Sequence, residues 1–119
     1  MVELALVLPV CMWVVLGIID FGRVYALYIS ATSASREGAR YYASNPTATL
    51  DTVRTKAQAE APSGTFTNCT FTPSALAGDQ YQVVAVCTFT PITPFVQGAW
   101  GGGSMSITTQ ATMPKLAVT

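Results

Sequence analysis

Residues 4–19, LALVLPVCMWVVLGII, run for sixteen positions without a charge, bounded by Glu3 and Asp20. As a helix the run covers about 24 Å, slightly less than a hydrocarbon core of about 30 Å, so spanning needs flanking residues, a tilt or a thinner bilayer. A helix lying on a soluble core shows an apolar stripe, whereas this one is apolar all round. Burying side chains such as Leu4, Val7, Leu8, Val14, Val15 and Ile18 is worth about 1.5–3 kcal/mol each. A chain of 119 residues has too little other mass to surround such a helix. Lipid or other apolar helices must therefore cover it.

A cleavable signal peptide would carry Lys or Arg ahead of the run. Glu3 stands there instead, and the first small-residue stretch, Ala31 to Ser35, lies beyond Asp20 and Arg23. A plain membrane anchor satisfies the hydrophobicity but gives no reason for Glu3, because an ionisable group in such a place is costly and usually has a named partner. Pro9 removes one helix hydrogen bond and crowds the preceding turn. It is either a harmless kink, tolerated in membrane helices, or a point where the helix loosens and lengthens. Cys11 reads as a small hydrophobe.

No proline follows Pro9 until Pro46, so one helix from near Met1 to about Ala43 is expected, about 64 Å if straight. Its second half is amphipathic: Val24, Leu27, Tyr28, Ala31, Ala34, Gly38 and Tyr42 form a stripe suited to receive a sheet. Asp20 with Arg23, and Glu37 with Arg40, are spaced for same-helix ion pairs worth about 0.2–0.5 kcal/mol each. A short second helix is expected from about Ala48 to Ala61, with Leu50, Val53 and Ala57 on one face and Asp51 near its start. Pro62-Ser63-Gly64 ends it.

The period then changes to two. Residues 65–72, 80–90 and 104–113 alternate and are rich in Thr, Val and Phe, which predicts three antiparallel strands. Cys69 and Cys87 each open the pentapeptide CTFTP, and in each strand the cysteine shares a face with the Phe two residues on. A Cys69–Cys87 disulfide would add about 3 kcal/mol in the chain-entropy model and implies an oxidising, extracytoplasmic compartment. Two reduced buried thiols are the alternative. Between strands two and three, PITPFVQGAWGGG reads as a long loop carrying Phe95, Val96 and Trp100. These side chains have three destinations: the sheet, which is the default, a neighbouring subunit, or the membrane interface. Asn68-Cys69-Thr70 matches the glycosylation acceptor pattern, whereas Asn45 is blocked by Pro46.

Composition excludes several functions. Charged residues make up 10% of the chain, against about 25% in an ordinary soluble domain. Six basic and six acidic residues cancel and no basic block exists, so nucleic-acid binding is not expected. The apolar fraction excludes bulk disorder. With no His, and with Cys11, Cys69 and Cys87 lacking zinc-type spacing, no metal or other cofactor is expected. Catalysis needs convergent groups, and the carboxylates at 3, 20, 37, 51, 60 and 79 are dispersed. The chain does not read as an enzyme.

Three motifs carry a family resemblance: Val2-Glu3-Leu4-Ala5-Leu6-Val7-Leu8-Pro9, Gly17-Ile18-Ile19-Asp20-Phe21-Gly22-Arg23 and Arg36-Glu37-Gly38-Ala39-Arg40-Tyr41. As a set, over about the first 43 residues, they resemble the TadE-like pilins and pseudopilins of the tight-adherence branch of type IV pilus systems. Thr88 to Pro94 and Ser106 to Met113 look like that family's C-terminal half, though less distinctively. The resemblance implies membrane insertion, leader removal by a prepilin peptidase, and polymerisation of identical subunits through their N-terminal helices. The pilus assembly machinery would be a further partner. The chain would sit in the inner membrane before assembly and in an extracellular fibre for attachment afterwards.

Relatives carry a short basic leader ending in a small residue and set their Glu slightly deeper than Glu3. A processed or trimmed form is expected here, with Met1 as the encoded start the alternative. On this reading Glu3, Pro9, Asp20 and Arg23 serve subunit assembly, and Arg36, Glu37 and Arg40 form a helix motif. A carboxylate in an apolar bundle costs several kcal/mol unless paired, and the α-ammonium of an adjacent subunit is a suitable partner that would set axial register. A non-polymerising, membrane-anchored minor pseudopilin that primes or regulates a fibre is the alternative.

The expected architecture is an α+β lollipop. Residues 1–44 form the long helix, with 1–22 as its membrane or filament-core half and 23–44 as its amphipathic half. Residues 45–119 form a head with a short helix and a small three-stranded antiparallel sheet.

Overall fold

The computed structural model describes residues 1–61, 67–99 and 101–116. Helix α1 runs unbroken from Val2 to Ser44, straight through Pro9. It stops where the backbone N–H of Asn45 turns back to the carbonyls of Tyr41 and Tyr42, at 3.0 and 3.2 Å, just before Pro46. The remaining elements are α2 (Leu50–Ala59), β1 (Thr67–Leu76), β2 (Gln80–Phe89), α3 (Pro94–Ala99) and β3 (Met105–Pro114). The strands form one antiparallel sheet in the order β1-β2-β3. Overall the molecule measures 74 × 24 × 23 Å, the long dimension being α1 with its first half projecting from the head.

This is the α+β layout expected from the pattern, with three local differences. First, β1 continues through Pro73 to Leu76 instead of ending at Thr72. It is an edge strand, where a residue lacking an N–H can face outward without breaking the ladder. Second, the segment expected to be a plain loop between strands two and three contains α3. Third, α2 is shorter than expected, and Leu50 is exposed while Val53 and Ala57 are fully buried. The Pro62-Ser63-Gly64 stop, the expected strand start at 65–66 and Trp100 lie outside the described residues.

The pleat directs Phe71, Val83, Ala85, Cys87, Phe89, Thr109 and Ala111 to one face of the sheet, where all are buried. Leu27, Ala31, Ala34, Ser35, Gly38, Ala39, Tyr42 and Ala43 of α1 are the buried helix positions in the head. Tyr28, expected on this stripe, is 49% exposed. It stands about 100° round the helix from Leu27, which lies near the stripe's centre. Most of the buried positions are small, so helix and sheet approach closely. A Cβ on Gly38 would come within 3.0 Å of Ala57 Cβ and 3.4 Å of Val83 Cγ2. The buried Ser35 hydroxyl donates to the Ala31 carbonyl at 2.8 Å and lies 3.4 Å from Thr109 Oγ1, so neither hydroxyl is left unpaired.

Helix α2 closes one side. Arg54 Nε donates to the Phe71 carbonyl at 3.1 Å, and the rings of Tyr42 and Tyr81 meet with centroids 4.5 Å apart. Cys69 and Cys87 stand opposite each other in the β1-β2 register, 4.0 Å apart at Cα, and are joined by a disulfide. The bridge lies between two buried clusters, one around Phe71 and Val83 and one around Leu27 and Phe89. The chain's far end is tied down too: Lys115 N donates to the Asp79 carbonyl at 2.8 Å, and Leu116 N to that of Ala43 at 3.3 Å.

Two outcomes follow from this packing. Gly38→Val should lower head stability by about 1–3 kcal/mol, the usual cost of overpacking, in a denaturant melt of detergent-solubilised protein followed by near-ultraviolet circular dichroism. An unchanged midpoint would contradict the close approach at Gly38. Replacing both Cys69 and Cys87 by Ser should cost about 3 kcal/mol in the same assay.

Candidate functional site

The apolar half of α1 is exposed along its length. Twelve large hydrophobic side chains between Leu4 and Ile19 face outward, and none of the residues of the helix's most apolar window is buried in the chain. Among the described residues α1 is the one helix long and apolar enough to cross a membrane. Glu3 and Pro9 both lie on this projecting segment and are exposed. Among the described residues neither is buried against the head. Cys11 is likewise exposed, as a free thiol.

Where the helix enters the head, the picture reverses at Asp20, which is 5% exposed. The tetrapeptide Pro91-Ile92-Thr93-Pro94 has backbone N–H groups only at its two middle positions, because proline carries none. Both are claimed by the Asp20 carboxylate. Ile92 N donates to Oδ1 at 3.4 Å and Thr93 N to Oδ2 at 3.1 Å, and the Thr93 hydroxyl donates to Oδ2 as well. Arg23 Nη1 stands 3.6 Å from Oδ1, with the guanidinium carbon 5.1 Å from the Phe89 ring centroid. Hydrogen bonds to a charged group contribute about 1.5–3 kcal/mol each, so Asp20 forms a strong clasp between α1 and the start of α3.

The clasp sets α3 against the apolar half of α1. Phe95 stacks on Trp13, with ring centroids 5.5 Å apart and planes inclined by 25°. An open apolar pocket of about 280 Å³ lies between Trp13, Leu16 and Gly17 on one side and Pro94, Phe95 and Val96 on the other. The expectation that Phe95 packs back on the sheet is therefore corrected. Asp20 holds the loop against the helix, and the ring finds Trp13 before it can reach the strands.

The remaining site residues lie apart from the clasp. Arg36, Glu37 and Arg40 are exposed, with Arg40 Nη1 3.8 Å from Glu37 Oε2. Asn68 is exposed on the edge strand β1, and its carbonyl accepts from the Thr88 hydroxyl at 3.2 Å. Thr93 is a site residue that pattern reading missed, although a signal existed. Thr93-Pro94 is the pairing of an N-cap residue with proline at the first helical position.

A projecting apolar helix, unburied among the described residues and joined to a small disulfide-bonded head, fits membrane anchoring. Residues 1–40 match the model of the family described as TadE-like protein. Over this stretch the chain is similar to TadE-like proteins, as the resemblance implied. No curated protein and no solved structure matches the chain.

Replacing Asp20 by Ala should release α3. Each orphaned N–H costs about 1–3 kcal/mol, so amide exchange at Ile92 and Thr93 should accelerate by at least about tenfold while the β2 amides keep their protection. Unchanged exchange at the two amides would show that the clasp does not hold the loop.

Proposed function

We propose that this chain is a structural subunit of a Tad-type pilus, held in the inner membrane by the apolar half of α1 before assembly and polymerising through that same half into an extracellular fibre used for attachment. The observation that carries this reading is the exposure of residues 4–19, a surface that a membrane covers at one stage and sister helices at the next. Glu3 lies at the start of this surface without a partner among the described residues of its own head, as suits a group whose partner is the α-ammonium of the next subunit. The exposed Arg36, Glu37 and Arg40 are available to bridge neighbouring heads, and Pro9 supplies a point of give in a bending fibre. Processing by a prepilin peptidase belongs to the same reading. The disulfide fits a head that folds outside the cytoplasm.

The test is Glu3→Ala in the assembling cell. The variant should insert in the membrane at the wild-type level yet give no sheared surface fibre by negative-stain microscopy. Wild-type fibre yield would contradict the pairing. A wild-type chain recovered only as a membrane monomer, absent from sheared fibres, would instead make it a non-polymerising accessory pseudopilin.

A further inference from the structure

The segment from Pro91 to Ala99 sits beside the last two turns of the apolar run, fixed there by the Asp20 clasp and the Trp13–Phe95 stack. We propose that it is an interfacial membrane wedge: in the membrane-held chain, residues 91–99 lie within the headgroup layer of the bilayer instead of in water. The proposal rests on the membrane-anchored reading of α1.

Geometry supplies the first reason. Trp13 lies about 10 Å along the helix axis below Asp20, at 1.5 Å per residue. A hook kept in water at that level would limit immersion to residues 4–12, about 14 Å of helix and less than half a hydrocarbon core. The apolar run is already slightly short of a full span, so its last two turns are needed inside. Whatever medium covers those turns also reaches α3.

The hook's own chemistry supplies the second. Backbone groups in a bilayer must be satisfied internally. Here the N–H groups of Ile92 and Thr93 and the Thr93 hydroxyl go to Asp20. The Thr93 carbonyl accepts from Gln97 N at 3.1 Å, and the Pro91 carbonyl from Gln97 Nε2 at 2.7 Å. No Asp, Glu, Lys, Arg or His occurs between Asp79 and Lys115. What the hook presents outward is apolar, with Ile92 55% and Phe95 65% exposed. Aromatic and aliphatic groups of this kind settle about 5–10 Å into the headgroup boundary, which matches the depth of Trp13 below Asp20.

The experiment uses the full chain carrying Cys11→Ser, with the native disulfide intact, in phosphatidylethanolamine–phosphatidylglycerol vesicles. Single nitroxide labels are placed through Val10→Cys, Ile92→Cys, Phe95→Cys and Thr108→Cys, the last on the sheet's exposed face. Collision with dissolved oxygen against a water-soluble nickel chelate then reads the depth of each label. The labels at Ile92 and Phe95 should show an oxygen-to-nickel ratio several-fold above that at Thr108, with Val10 higher still. Ratios at Ile92 and Phe95 equal to that at Thr108 beside a buried Val10 would overturn the wedge and leave the anchor standing. If Val10 is wet as well, the anchored reading fails with it. Protection that appears only at high protein-to-lipid ratio would assign the surface to a second copy of the chain and likewise overturn the wedge.

Discussion

The governing constraint is an apolar surface that the chain makes and does not cover. Twelve large hydrophobic side chains between Leu4 and Ile19 remain exposed, even with Phe95 stacked on Trp13. Their burial is worth on the order of 20 kcal/mol, more than the 5–15 kcal/mol that typically separates a folded domain from its unfolded chain. The described part of the head leaves these side chains largely uncovered. The molecule is therefore incomplete on its own, and its habitat is set by what can supply the cover.

The second half of the same helix solves the opposite problem. From Leu27 to Ala43 its inward positions are mostly Ala, Ser and Gly, so the three-stranded sheet closes onto it with little side-chain bulk between them. The core's larger side chains come mainly from the sheet, with Val53 of α2 and Leu27 and Tyr42 of α1, and a cross-strand disulfide holds them. Asp20 marks the join between the two halves. Buried and bonded to both free amides of the PITP turn, it fixes the head's lowest loop at a defined height on the apolar rod. A carboxylate that borders an apolar run thus acts as a structural clasp inside the chain.

Much of this is legible in the residues. The all-round apolarity of residues 4–19, the small-residue stripe through Ala31, Ala34 and Gly38, and the two CTFTP strands each carry a strong period, and the α+β layout and the Cys69–Cys87 bridge follow from them. Three features escaped the pattern. Tyr28 and Leu50 are hydrophobic at almost the right spacing, and only the direction of the partner surface decides that they stay outside. Pro73 looks like a strand terminator unless the strand is known to be an edge. The placement of Phe95 on Trp13 depends on an ion-to-amide contact spanning more than seventy residues of sequence, which no local period encodes. Asp20 itself reads most readily as half of a surface ion pair with Arg23, because that partner is three residues away and Thr93 is not.

The most direct measurement of the central claim is flotation of the full chain on a density gradient after detergent removal, with and without added vesicles. With vesicles the chain should float with the lipid and resist alkaline extraction, and without them it should leave solution as assembled or precipitated material. A stable, water-soluble monomer with residues 4–19 intact would contradict the account, since those side chains would then be wet at no cost.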